Sequence, residues 1–118
     1  MPKEKIFVYG SLRKGMYNYE AFKNGLDYKK TVEVEGFDLY SLGAYPYVVP
    51  SDSGKIKVDI MEATQAAKDH IDRMEHGAGY ISKEIEVEGE KGTIYVFTRP
   101  RSNNDKVEHG DWVKYKTT

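Results

Sequence analysis

With 118 residues, 39% hydrophobic and 31% charged, the chain has room for a single domain over residues 1–118 and the composition of an ordinary soluble globular protein. Its formal net charge is −1, with Lys and Arg scattered among Asp and Glu. The concentrated basic face that phosphate neutralisation needs is missing, so nucleic acid is not an expected partner. The chain has no cysteine, which excludes disulfides, thiolate nucleophiles, iron–sulfur clusters and cysteine-ligated zinc.

The start, Met1-Pro2-Lys3-Glu4-Lys5, carries no apolar signal region, and no apolar run approaches membrane-spanning length. The expectation is a soluble, cytoplasmic protein without a membrane partner. Ile6-Phe7-Val8-Tyr9 then reads as a buried strand cut off by Gly10, entering a loop bracketed by Gly10 and Gly15. A short helix is expected over Asn18–Asn24, with Tyr19, Phe22 and Lys23 at helical spacing and Gly25 as its stop. Tyr28 to Tyr40 is β-rich: Val32 and Val34 alternate with charges, and Gly36 breaks or bulges the run.

Residues 41–54 read as a loop punctuated by Gly43, Pro46, Pro50 and Gly54, with Val48-Val49 as a short extended piece. Lys55 to Ala63 reads as a strand with Ile56, Val58 and Ile60 on one face. The clearest helix runs from about Thr64 to His76, with Thr64 as N-cap and Ala67, Ile71 and Met74 as its buried stripe. Gly77 and Gly79 end it. Ile81–Val87 and Thr93–Thr98 form a hairpin about a Glu88–Gly92 turn, followed by a polar loop over Arg99–Asp105. A last short strand is expected over Asp111-Trp112-Val113-Lys114-Tyr115. Many short strands with about two helices make an α+β pattern. The ten tyrosines fit half-buried strand positions and pocket walls.

Known chemical motifs are few. His70 and His76 are six residues apart, which does not stack them on one helix face, and His109 stands alone. No metal site is expected from these, and all three read as surface residues. Ser11 lacks the G-x-S-x-G context of a serine hydrolase, and no Gly-rich nucleotide loop is present. Two features remain. The segment Tyr9-Gly10-Ser11-Leu12-Arg13-Lys14-Gly15 could turn its backbone N–H groups toward a carboxylate or an oxyanion, although spacing alone favours a plain strand-to-helix turn. Glu75 sits at a helix C-terminus, where the dipole disfavours a carboxylate and lifts its pKa toward the range of a general base. A solvated helix-end glutamate is the simpler reading of that position.

Together these segments resemble the γ-glutamylcyclotransferase-like family, which includes the γ-glutamylamine cyclotransferases and the cyclotransferase of butirosin biosynthesis. Phe7-Val8-Tyr9-Gly10-Ser11-Leu12 matches the family's strand followed by Y-G-[ST]-L, and Arg13-Lys14-Gly15 continues it. Gly36-Phe37-Asp38-Leu39-Tyr40 matches its Gly-x-Leu-Tyr segment, and Gly43-Ala44-Tyr45-Pro46-Tyr47-Val48 its proline loop. Ile71-Asp72-Arg73-Met74-Glu75 fits its L-D-x-x-E helix end, Tyr80 its following aromatic, and Gly110-Asp111-Trp112 its final segment. The resemblance implies a small mixed sheet curled into a barrel-like cradle with helices packed around it. It implies cofactor-independent release of 5-oxoproline from a small γ-glutamyl amine or peptide by attack of the substrate's own α-amino group. Glu75 would be the acid/base, the backbone of Gly10, Ser11 and Leu12 would hold the carboxylate or oxyanion, and Tyr9, Tyr45 and Tyr80 would line the pocket. A non-catalytic small-molecule binding module keeping the same pocket is the alternative. Val58-Asp59 replaces the family's usual Gly-Glu, and Ser82 stands where an Arg is common; both bear on substrate class. Oligomeric state is left open.

Overall fold

The computed structural model describes residues 4–43, 45–99 and 104–117. Its spine is β1 (Glu4–Val8), whose side chains alternate between two cores: Ile6 and Val8 enter one, Phe7 and Tyr9 the other. α1 (Tyr17–Phe22) and a 3-10 turn (Lys23–Gly25) lead into two long strands, β2 (Leu26–Ser41) and β3 (Pro46–Ala63). α2 (Gln65–Gly77), the hairpin β4 (Tyr80–Val87) and β5 (Glu90–Phe97), the short β6 (Asp105–Lys106) and α3 (Trp112–Thr117) complete the chain.

The strands form one six-stranded sheet in the order β4-β5-β1-β3-β2-β6. β1 runs parallel to β5, and the other pairings are antiparallel. This is a small α+β fold, a mixed sheet curled into a half-barrel with three helices. Val34, Ile56, Val58 and Ile60 share one core with Trp112 of α3. On the other face Met61 and Ala63 meet Ile71 of α2, which is fully buried. Burying a side chain of that size stabilises the fold by about 1.5–3 kcal/mol, which seats α2 on the sheet. Thr64 caps α2 by accepting the Ala67 N–H at 3.2 Å, and Ala67 and Met74 flank Ile71 as the periodicity predicts. No helix among the described residues is long and apolar enough to cross a membrane.

Three expectations are corrected. Residues 41–54 are mostly strand: the connection between β2 and β3 occupies only 42–45, because Tyr47 and Val48 are buried and pair with Tyr40 and Leu39. Pro46 is tolerated as the first residue of its strand. The punctuation does mark a real irregularity, since the register jumps from Glu35↔Lys55 to Phe37↔Pro50, leaving Gly36 opposite residues 51–54. The expected terminal strand is helix α3. Asp111 starts it: its carboxylate accepts the Lys114 N–H at 3.1 Å and its carbonyl accepts the Tyr115 N–H at 2.9 Å. Trp112 and Tyr115 then stack at 5.4 Å on one helix face, a spacing of three that the alternation of a five-residue segment conceals. Finally, the hairpin turn is two residues, Glu88 and Gly89, both at positive φ (52° and 82°), which matches the twist of the flanking strands. The expected polar loop over 99–105 falls largely outside the described residues; Asp105 opens β6.

Candidate active site

The loop after β1 is shaped by contacts that leave its first three amides, those of Gly10, Ser11 and Leu12, free. Gly10 abuts Pro46 so closely that a Cβ would lie 2.6 Å from Pro46 Cγ. The Gly10 carbonyl accepts the Arg13 N–H at 3.0 Å, and the Ser11 carbonyl accepts the N–H groups of Asn18 and Tyr19 at 2.9 and 3.1 Å. Asn18 Nδ2 also donates to Ser11 Oγ at 2.8 Å, tying the loop to the start of α1. The N–H groups of Gly10, Ser11 and Leu12 make no hydrogen bond to another described residue. Three successive free donors beside a glycine are the makings of an anion cradle.

Beneath the loop lies a buried charge cluster. Arg13 Nη1 donates to Asp111 Oδ1 at 2.8 Å, and Arg13 Nε lies 3.3 Å from Asp59 Oδ1. The second contact lacks hydrogen-bond geometry and acts as an ionic one. Asp59 also accepts the Lys14 N–H at 2.9 Å and the Thr31 hydroxyl at 2.7 Å. The departure from Gly-Glu at Val58-Asp59 thus has a structural use: Val58 fills the core and Asp59 anchors the loop.

Across the cavity, the last turns of α2 carry two carboxyls with opposite fates. Asp72 accepts the Tyr95 hydroxyl at 2.5 Å and the Lys68 ammonium at 2.9 and 3.1 Å. Desolvation raises its pKa, but those hydrogen bonds and the Lys68 charge outweigh it and bring it below the ordinary value. The Glu75 carboxyl makes no hydrogen bond or ion pair to a described residue; its backbone carbonyl is engaged, accepting the Ala78 N–H at 3.1 Å. Burial, with a smaller contribution from the Asp72 charge, pushes its pKa up to about 7. One carboxyl is held ionised while its neighbour is poised to exchange a proton near neutral pH, a pattern that separates acid/base groups from structural ones.

Loop and helix end face a cavity of about 280 Å³, at the small end of ligand pockets. Tyr9, Gly10, Ser11, Leu12, Tyr45, Glu75 and Tyr80 all line it, so the structure brings every candidate site residue together. The buried tyrosine hydroxyls are already committed: Tyr9 donates to the Tyr95 carbonyl and Tyr80 to the Pro46 carbonyl, each at 2.6 Å. Burial raises the pKa of both, with Tyr80 and then Glu75 adding to the effect at Tyr9 and Glu75 leading the charges that act on Tyr80. Tyr45 is half exposed on the rim.

Sequence reasoning missed Asn18, Leu42, Pro46, Met74, Ala78 and Tyr95 among the lining residues. Met74 and Ala78 follow from the helix position of Glu75 and could have been found. Tyr95 could not, because it depends on the β1–β5 pairing. His70, His76 and His109 are exposed and none lines the cavity. His76 instead shares a 2.9 Å hydrogen bond with Ser82, where the common Arg is replaced.

The model of the family described as "Gamma-glutamyl cyclotransferase, AIG2-like" matches residues 6–114. The chain belongs to this family. It is 30% identical to the γ-glutamylcyclotransferase family protein YtfP of Escherichia coli K12, over 92% of this chain and 96% of that protein. It is 31% identical to the putative γ-glutamylcyclotransferase MJ1514 of Methanocaldococcus jannaschii, over 96% and 98% of the two chains. The crystal structure of PH0828 from Pyrococcus horikoshii superposes with a TM-score of 0.82 at 28% identity, covering 96% of this chain and 92% of the other. An AIG2-like protein from mouse, 18% identical, shares the fold with a TM-score of 0.76 over 95% of each chain. The AIG2-like family therefore accounts for both the half-barrel and the ordered match of segments along the chain.

Proposed function

We propose that the protein is a cyclotransferase that releases 5-oxoproline from a γ-glutamyl amine or γ-glutamyl peptide, with Glu75 as its acid/base. One observation carries this reading: a carboxyl with no hydrogen-bond partner among the described residues, poised near pH 7, shares a cavity with three free backbone donors. The Glu75 carboxylate takes a proton from the substrate's α-ammonium, and the freed nitrogen attacks the γ-carbonyl carbon of the same molecule. As the new C–N bond forms, negative charge grows on the carbonyl oxygen. The Gly10, Ser11 and Leu12 amides receive either that oxygen or the substrate's α-carboxylate. Glu75 returns its proton to the leaving nitrogen as the old C–N bond breaks. At neutral pH the attacking nitrogen gives up two protons overall and the leaving amine takes up two, so no other reactant is consumed.

Because nucleophile and electrophile belong to one molecule, most of the work is folding the substrate into its attack geometry. A small cavity braced by buried charge suits that task. The test is 5-oxoproline release from a panel of γ-glutamyl amides and dipeptides, with Glu75→Gln alongside. Turnover lost in the variant supports the assignment. Equal turnover removes Glu75 from the mechanism. Thermal stabilisation by the same compounds, without product and unaffected by Glu75→Gln, would identify a binding module.

A further inference from the structure

Ser11 is held against α1 by more bonds than its attachment needs. Its carbonyl accepts the N–H groups of Asn18 and Tyr19, at 2.9 and 3.1 Å, and its hydroxyl oxygen accepts from Asn18 Nδ2 at 2.8 Å. The two backbone bonds satisfy orphan donors of the first helical turn and already fix the loop on the helix. The side-chain bond is a different matter, because both of its residues are half-buried and line the cavity with Glu75. A carboxamide nitrogen has protons and no lone pair to offer, so Asn18 donates and Ser11 accepts.

That direction decides where the Ser11 proton goes. A hydroxyl carries one proton and two acceptor sites. One acceptor site faces the Asn18 N–H, so the proton is turned away from Asn18, and it has no acceptor among the described residues. The buried tyrosines of the lining are spent by comparison: Tyr9 donates to the Tyr95 carbonyl, Tyr80 to the Pro46 carbonyl and Tyr95 to Asp72. Serine hydroxyls in turns commonly bond to their own backbone, and the Asn18 bond holds this one ready for an outside acceptor.

We propose that Asn18 is a positioning residue: its carboxamide nitrogen holds the Ser11 hydroxyl with its proton free, so that the hydroxyl joins the amides of Gly10, Ser11 and Leu12 as a fourth donor to an anionic oxygen of the substrate. This rests on the cyclotransferase reading. A donor set in advance meets growing negative charge without having to be turned at the moment of reaction.

The experiment reverses the bond. Asn18→Asp keeps the size and the tie, but a carboxylate has no proton to give, so the Ser11 hydroxyl must donate to it and is withdrawn from the substrate. The new negative charge is controlled for by Ser11→Ala, in which the charge is present with no hydroxyl to turn. Release of 5-oxoproline from γ-glutamylalanine and γ-glutamylbutylamide is measured for the parent, the two single variants and the double variant. Each single variant should lower kcat/KM by about tenfold or more on the faster compound. In the Ser11→Ala background, Asn18→Asp should cost at least about fivefold less than it does in the parent. An acidic residue suits the first turn of α1, so the urea midpoint of Asn18→Asp should match or exceed that of the parent, which separates lost positioning from lost folding. Equal losses in the two backgrounds would reduce Asn18 to a tie for the loop and overturn the proposal, leaving the cyclotransferase intact. If the parent turns over neither compound, the cyclotransferase reading fails, and the same four proteins are compared in calorimetric binding of 5-oxoproline. Coupled losses there support the role of Asn18; independent losses, or no binding, overturn it.

Discussion

The hydroxyl of Tyr95, on β5, donates to the carboxylate of Asp72, on α2, at 2.5 Å. This bond joins the sheet to the helix that carries Glu75 and keeps a negative charge one helical turn before it. Asp72→Asn should remove that charge while preserving shape. The Asp72 contribution to the raised Glu75 pKa is the smaller of two, so the acid limb of the pH–rate profile should move down but stay above 4.5, the ordinary value. An unmoved limb would show that burial alone sets the titration.

Tyr95→Phe tests the same bond from the sheet side. The ring stays in its core, while Asp72 keeps only Lys68 as its hydrogen-bond donor. A loss of about 1–3 kcal/mol is expected, read from the midpoint of urea unfolding.

Glu75 should link activity and stability to pH in opposite ways. In the proposed mechanism Glu75 must be ionised to act as the base, so kcat/KM should fall as pH drops through about 7. In the folded chain Glu75 keeps its proton up to about pH 7, whereas the unfolded chain releases it near 4.5. Between those values the folded state binds more protons, so stability is lost as pH rises. Glu75→Gln cannot ionise and should be more stable than the parent by about 2–3 kcal/mol above pH 7, the advantage vanishing below pH 4. The same variant should lose about 100-fold or more in turnover. Parallel stability curves for the two proteins would contradict the raised titration.

Asp59→Ala leaves Arg13 buried with Asp111 as its remaining carboxylate partner and strips an acceptor from Lys14 N–H and Thr31. Breaking a buried charge pair in this way should cost about 3–5 kcal/mol, visible as an early unfolding midpoint. A midpoint within error of the parent would mean that Asp59 does not anchor the loop.

Gly10→Ala places a methyl group 2.6 Å from Pro46 Cγ and 2.9 Å from Pro46 Cδ. The loop must move away from Pro46, displacing the amides of Ser11 and Leu12. A drop in kcat/KM of roughly 100-fold is expected, as for angstrom-scale misplacement in other sites. Unchanged kinetics would argue against a role for these amides.

Much of this was legible in the residues, and what was not has physical reasons. α2 could be read because Ala67, Ile71 and Met74 repeat with helical period behind a threonine cap, and local chemistry decides such an element. The first half of β3 is hidden because Pro46 and Pro50 mimic a loop, and only pairing with β2 reveals that Tyr47 and Val48 sit in a ladder; its second half, from Lys55 to Ala63, shows its alternation directly. α3 was misread because a single acidic cap and one aromatic pair are too little periodicity in six residues. At the site, the Tyr9–Leu12 loop and Glu75 stood out through their place in an ordered set of segments. The Arg13–Asp59–Asp111 cluster did not, because its members come from three distant parts of the chain and meet only after folding.

The parallel contact of Ile6 with Thr93 has a bearing on assembly. β1 is made before the other strands of the sheet but receives its last neighbour only when β5 has been made. The β2–β3 hairpin is local and closes cheaply, whereas joining β1 to β5 closes a loop spanning most of the chain. A nascent chain ending before β5 therefore lacks Tyr95, the partner of both Tyr9 and Asp72. The proposed active site should therefore be completed late and abruptly during synthesis, after the hairpin has cleared the exit tunnel.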